Sequence, residues 1–202
     1  MRKLIEPKIV LASHNNGKLI EIMELLSPYN IDVVSAGYLG LKEPVETEST
    51  FIGNARIKAH FAAKASNLPA LSDDSGIQVD ALNGNPGVYT ANWAETPNGR
   101  DFQLAMTKVW NKLEECNAPE PRTARFCATL CLAWPDGHDE IFEGTVEGRI
   151  SLPMRGDFGF GFDPIFTPNG EIETFGEMNP IKKHSMSHRN EAFQKFKAIL
   201  DG

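Results

Sequence analysis

The chain is short of cysteine, carries no excess of positive charge and has no long apolar run, and each shortage removes a class of function. Its three cysteines, Cys116, Cys127 and Cys131, form neither an even framework nor a Cys-x-x-Cys pair, which leaves a disulfide scaffold or a structural zinc site poorly supported. Cys127 and Cys131 are expected as core filler, and Cys116 as a residue late in a helix. Acidic residues outnumber Lys plus Arg by 27 to 20, a formal charge of −7, the wrong sign for a protein that tracks a polyanion backbone. Nucleic-acid polymers are therefore not expected partners, whereas a small anion held by a few local cations stays open. Stretches such as Ile9 to Ala12 and Cys127 to Trp134 fall far short of the roughly 20 apolar residues of a membrane helix. The opening Met1-Arg2-Lys3-Leu4-Ile5-Glu6-Pro7 lacks the apolar core and small-residue cleavage site of a secretory leader, so the cytoplasm is the expected compartment. Repeats, low-complexity tracts and a clear linker are also missing. With 202 residues, 41% of them hydrophobic, a single domain spanning 1–202 can bury one substantial core.

The periodicities that are present alternate between strand and helix. Lys8 to Ala12 reads as a buried strand that runs into the polar turn Ser13-His14-Asn15-Asn16-Gly17-Lys18. A helix with Leu19, Ile22, Met23 and Leu26 on one face follows and stops before Pro28. Ile31 to Ser35 predicts a second strand, and Ser49 or Thr50 can cap a helix striped by Ile52, Ala55, Ala59, Ala62 and Ala63. Ala70 to Ser72, Asp73 to Gly76 and Ile77 to Leu82 predict strand, tight turn and strand. Asn98-Gly99 opens the helical pattern Phe102, Met106, Val109, Trp110, Leu113. Arg125 to Trp134 alternates, and Pro135-Asp136-Gly137 turns it into a returning strand over Glu140 to Ile150. A strand-to-helix opening combined with a hairpin predicts an α/β fold on a mixed sheet.

Four segments carry residue types suited to chemistry. Ser13-x-Asn15-x-x-Lys18 sits at the mouth of a helix, where free N–H groups and the helix dipole favour an anion such as phosphate. It is not a Walker A loop, because Ala12 stands where the first glycine is needed and Leu19 where a metal-binding hydroxyl is needed; an ordinary polar turn with a solvated lysine fits the segment too. Asp73-Asp74-Ser75-Gly76 offers two adjacent carboxylates, and Glu46 precedes a helix on which Asn54 and Lys58 share a face. Such an oxygen-only, incomplete set suits Mg²⁺, with simple turn chemistry as the alternative. Gly156 to Phe162 holds three glycines and three phenylalanines before Asp163-Pro164, giving close backbone approach beside faces on which a base can stack, or a purely structural aromatic bend. Lys182 to Arg189 supplies donors for a phosphate or a base carbonyl, or else a solvated basic loop, with Ser187 as N-cap of a last helix striped by Ala192, Phe196 and Ile199. His60 and His138 are read as surface residues.

Taken in order, these segments resemble the inosine/xanthosine triphosphate pyrophosphatases, the HAM1-like enzymes that act on non-standard purine nucleotides. The likeness spans nearly the whole chain, through Ser13 to Lys18, Glu46, Thr50-Phe51-x-x-Asn54-Ala55, Lys58, Ser72 to Gly76, Pro86-Gly87-Val88-Tyr89, Gly159 to Phe166, and Lys183 with Ser187-His188-Arg189. The resemblance implies an elongated α/β fold with a mixed central sheet flanked by helices, two lobes with a substrate cleft between them, and a homodimer. It implies hydrolysis of ITP, dITP or XTP between the α and β phosphates. Carried onto this chain, Ser13, His14, Asn15, Asn16, Gly17, Lys18 and Lys58 hold the triphosphate, Glu46 and Asp74 organise Mg²⁺, and Asp74 is the catalytic base; apart from the resemblance, Asp163 is the second choice for the base because it also lies in a predicted pocket. Ser75 contacts substrate, while Phe160, Gly161, Phe162, Asp163, Lys183, His188 and Arg189 form the base and sugar pocket. Two departures stand out: Tyr89-Thr90-Ala91-Asn92-Trp93 replaces a commoner Tyr-Ser-Ala-Arg-Tyr, and Phe162 stands where Tyr or Trp is frequent. The rival readings are a relative directed at pyrimidine or standard nucleotides and a non-catalytic nucleotide sensor.

Overall fold

A computed structural model describes residues 1–200. In chain order the elements are β1 (Lys8–Leu11), α1 (Asn16–Leu26), β2 (Asp32–Ser35), α2 (Phe51–Ser66), β3 (Ala70–Val79), the short strands β4 (Glu95–Thr96) and β5 (Gly99–Arg100), α3 (Phe102–Glu115), β6 (Thr123–Ala133), β7 (Asp139–Ile150), β8 (Phe166–Pro168), α4 (Pro180–Met186) and α5 (His188–Phe196). Six strands form one sheet in the order β2-β1-β3-β6-β7-β8. β1 runs parallel to both β2 and β3, while β7 and β8 are antiparallel, so the sheet is mixed, as the alternation of strand-helix and hairpin patterns predicts. Among the described residues no helix is long and apolar enough to cross a membrane.

The chain divides into two compact units, each drawn from separate stretches of sequence. The first comprises Met1–Asp74, Ala128–Gly144 and the chain from Arg189 onward. Its strands are sandwiched. On one face Ile9, Leu11, Leu130, Leu132 and Trp134 pack with Ile22 and Leu26 of α1 and with Ala192, Phe193 and Phe196 of α5. On the other, Val10, Val34, Ala70, Cys131 and Ala133 meet Ala55, Ala59, Ala62 and Ala63 of α2. An alanine stripe lets a helix lie close against a sheet, because the helix contributes no more than methyl groups to the layer between the two backbones. Helix α2 starts at Thr50, whose hydroxyl accepts the Gly53 N–H at 3.1 Å, and stops at Asn67 in the left-handed region, φ 57°.

The second unit comprises Ser75–Cys127 and Thr145–His188. Its core gathers Ile77 and Val79 of β3, Ala105, Met106, Val109 and Leu113 of α3, and the aromatic group Phe126, Phe162, Phe166 and Phe175.

Three expectations need correction. Asp73 to Gly76 is no turn: β3 runs unbroken from Ala70 to Val79, because cations from other elements neutralise its aspartates and let them stay in a buried strand. On α1, Met23 is exposed and Glu21 is buried in its place, since Glu21 meets a buried arginine described below. Lys182 and Lys183 lie on a helix, α4, capped by Asn179, not in a loop. Cys131 is buried, its thiol pushed up to about 12 by burial and by the nearby Asp139 carboxylate, which makes it inert filler. His60 is half-buried against Asp139 at 2.8 Å.

Leu130, fully buried in the first unit, is the cleanest probe of this core: Leu130→Ala should lower the unfolding free energy by about 2–5 kcal/mol, read from urea-induced unfolding.

Candidate active site

In the first unit, β1 ends at Leu11 and the next residues turn sharply into α1. Ser13 is buried, and its Oγ accepts the Asn15 N–H at 3.2 Å. Asn15 then caps the helix, its Oδ1 accepting the Lys18 N–H at 3.2 Å. Asn16, Gly17 and Lys18 are therefore the first helical turn, where amides without intrahelical acceptors and the helix dipole favour an anion. His14 projects outward, with Nε2 2.9 Å from the Leu41 carbonyl.

Two consecutive residues of an extended strand point to opposite faces, and β3 uses this to separate its aspartates. Asp73, wholly buried, accepts from Arg189 Nε at 2.9 Å and lies 2.7 Å from Lys18 Nζ. Arg189 also donates through Nη1 to Glu21. Burial alone would raise the Asp73 carboxyl, but the Arg189 guanidinium and Lys18 ammonium outweigh it and hold the group far below the usual carboxylate range. The same partners drive Arg189 further up, against the desolvation that opposes its charge. Glu21 was not marked by the sequence reading, although it lies three residues after Lys18 on one helix face.

Asp74 has different partners. Its Oδ1 accepts from Lys58 Nζ at 2.7 Å, and the same ammonium donates to Glu46 Oε1 at 2.8 Å. Lys58 is brought there by the buried face of α2. One turn earlier on that face, the buried Asn54 accepts the Glu48 N–H through Oδ1 at 3.0 Å, which ties down the loop carrying Glu46. Gly53 is required at the same place, because a side chain there would meet Glu48 Cβ at 2.5 Å. Burial raises the Asp74 carboxyl above its ordinary value, and the Glu46 charge adds to this, although Lys58 and Lys18 pull the other way. Lys58 is raised too: burial lowers it, but Asp74 and Glu46 more than compensate.

Asp74 Oδ2 is buried with no hydrogen-bond partner, an arrangement that costs about 1–3 kcal/mol unless something binds there. Among the described residues no three His, Cys, Asp or Glu side chains gather as a metal cage. A pair of carboxylates with one vacant oxygen instead fits Mg²⁺, which takes one or two protein carboxylates and fills its octahedron with water and phosphate.

In the second unit, Asp163 Oδ2 accepts both the Phe160 N–H and Lys183 Nζ, each at 2.7 Å. Asp163 and Lys183 are both buried, so this carboxylate is engaged as the partner of an ammonium. The Lys183 ammonium also stands 5.1 Å from the centre of the Phe160 ring. Gly159 permits the tight loop: its φ is +75°, and a Cβ would collide with Asp163 Oδ2. Phe162, expected to offer a stacking face, is 1% exposed and packs edge-on against Phe102 at 6.0 Å. Phe160 is half-buried and Phe158 is exposed, so these two rings of the run keep surface. His188 is stacked on Phe126 at 5.0 Å and 14°, a partner that only the burial pattern of the 125–134 strand could have suggested. Ser75 is half-buried within β3. Arg189, expected beside the base, belongs instead to the first unit with Asp73 and Glu21.

The Ham1 family model matches residues 9–199, nearly the full chain. The chain belongs to the Ham1 family. It is 58% identical over 188 residues to the dITP/XTP pyrophosphatase of Ruegeria pomeroyi, covering 93% of this chain and 92% of that protein. It is 56% identical over 207 residues to the dITP/XTP pyrophosphatase of Agrobacterium fabrum, with 97% of each covered. Among solved structures, a HAM1 protein from Coxiella burnetii superposes with a TM-score of 0.88 at 36% identity, covering 96% of this chain and 98% of that one. The Staphylococcus aureus Ham1 protein gives 0.84 at 35%, with the same coverage.

In this Ham1-family chain the Asp73 cluster makes a linkage prediction. An aspartate held below its unfolded value stabilises the fold fully above that value and loses its contribution as pH falls through the folded one. Arg189→Gln should therefore cost about 3–5 kcal/mol at neutral pH, and the gap between variant and wild type should shrink as pH drops below about 4. Urea unfolding at a series of pH values measures it.

Proposed function

We propose that this chain hydrolyses dITP, ITP and XTP to the nucleoside monophosphate and pyrophosphate, by attack of water at the α-phosphorus. The observation that carries the reading is the buried Asp74 carboxylate, with one oxygen on Lys58 and the other without a partner, in a chain 50–58% identical to proteins named dITP/XTP pyrophosphatases. A scaffold has no use for a buried acceptor left open, and a sensor has no need of a base.

The Asp74 carboxylate takes the proton of the attacking water, through whichever oxygen is not on the metal, as the new phosphorus–oxygen bond forms and the bond to the pyrophosphate oxygen breaks. A carboxyl raised above its ordinary value is a stronger base for that transfer. Negative charge moves onto the leaving pyrophosphate, and Lys18, Lys58 and the first-turn amides of α1, with Ser13, His14, Asn15, Asn16 and Gly17 around them, are the donors assigned to it. Glu46 and Asp74 would hold Mg²⁺, which when bound supplies charge neutralisation to the phosphate oxygens.

The base side falls to Ser75, Phe160, Gly161, Asp163, Lys183 and His188. Lys183 and His188 can donate to a 6-oxo group. Adenine presents a 6-amino donor there, which meets those donors with no acceptor between them, at about 1–3 kcal/mol each. Arg189 holds Asp73 and Glu21 in the first unit, and Phe162 lies in the core of the second. A cytoplasmic homodimer belongs to the same reading.

Pyrophosphate release from ITP, dITP, XTP, GTP, ATP and dTTP, with Mg²⁺ and with EDTA, tests it. Release confined largely to the first three and abolished by EDTA is expected. Tight binding without release would favour a sensor, and turnover of dTTP alone would move the chain to the pyrimidine-directed relatives.

A further inference from the structure

The cation that neutralises Glu46 and Asp74 in this structure is the chain's own. Lys58 Nζ lies 2.8 Å from Glu46 Oε1 and 2.7 Å from Asp74 Oδ1, and the lysine is almost wholly buried. These are the two carboxylates assigned to the metal. An ammonium and a dication sharing the same pair oppose each other, and the opposition is strong where water does not screen it. Beside its side chain opens a depression lined by Ala12, His14, Lys42, Glu43 and Phe61, whose Glu43 carboxylate offers the ammonium an alternative partner.

We infer that Lys58 is a built-in competitor of the divalent cation: it occupies Glu46 and Asp74 until polyphosphate oxygens draw its ammonium away, and only then do the two carboxylates take the metal at full strength. The inference rests on the proposed metal role of that pair. Metal and nucleotide then help each other bind, each strengthening the other by the same factor, within the range of about 5–150-fold usual for coupled sites. A dication held without substrate would bind any passing phosphate, and the lysine suppresses that state.

Mn²⁺, added alone and followed by loss of its free EPR signal, tests this. Lys58→Met should bind Mn²⁺ at least about tenfold more tightly than the wild type, Lys58→Arg should bind it no more tightly than the wild type, and adding Glu46→Gln to Lys58→Met should erase the gain. Equal affinity in a folded Lys58→Met and the wild type, with Glu46→Gln still weakening both, would overturn the competition and leave the metal site standing. Indifference of every variant to Glu46→Gln would overturn the metal site itself. Should Lys58→Met fail to fold, the wild type decides. Mg²⁺ titrated into protein labelled with ¹⁵N at lysine Nζ should shift or erase the Lys58 ammonium signal as the Glu46 and Asp74 carboxyl carbons move. Carboxyl shifts beside an unmoved ammonium would overturn the inference.

Discussion

Two adjacent carboxylates in the interior of a buried strand are costly unless each has a cation, and the arrangement of the first unit follows from meeting that need twice. Because neighbouring strand residues face opposite ways, Asp73 and Asp74 take their direct contacts from different cations, with Lys18 on Asp73 acting on Asp74 only through its charge. Asp73 draws Arg189 from the start of α5 and Lys18 from the start of α1, so the helix that opens the phosphate-suited turn and the helix that ends the chain are tied to the same strand. Asp74 draws Lys58 from α2, and Lys58 draws Glu46. The first set is closed, with each charge matched. The second keeps an oxygen open. One face of β3 thus holds the structure and the other is left for chemistry.

Much of this was legible in the sequence. The first strand, the cap at Thr50, the alanine stripe of α2 and the alternation of β6 all follow from local rules, and the structure has them where those rules put them. The error at Asp73 to Gly76 has a definite cause. Asp, Ser and Gly are turn formers by local propensity, but the partners that keep them in a strand lie 16 residues away in Lys58 and 116 away in Arg189. No window of sequence reports that. Met23 and Glu21 exchanged roles for the same reason: helical periodicity alone puts a methionine inside, whereas a buried guanidinium across the fold makes the glutamate the better interior residue.

The second unit shows a different limit. The run of glycine and phenylalanine from Gly156 to Phe162 marks a site by composition, but composition does not say which ring faces solvent. The glycines at 159 and 161 take left-handed backbone, φ +75° and +68°, and the chain turns so that Phe162 enters the core while Phe160 stays beside Lys183. A tyrosine or tryptophan in place of Phe162 would carry a polar handle into that apolar core.

The division of labour between the two aspartates is the central claim, and a paired comparison of Asp73→Asn and Asp74→Asn addresses it most directly, with thermal unfolding and pyrophosphate release from dITP measured on each. Asp74→Asn should unfold within a few degrees of the wild type and release essentially no pyrophosphate. Asp73→Asn should lose much of its stability, because it leaves a buried guanidinium and an ammonium with one carboxylate, Glu21, where there were two, and should keep turnover at temperatures where it is still folded. An Asp74→Asn protein that turns over normally, or an Asp73→Asn protein as stable as the wild type but inactive, would contradict the account.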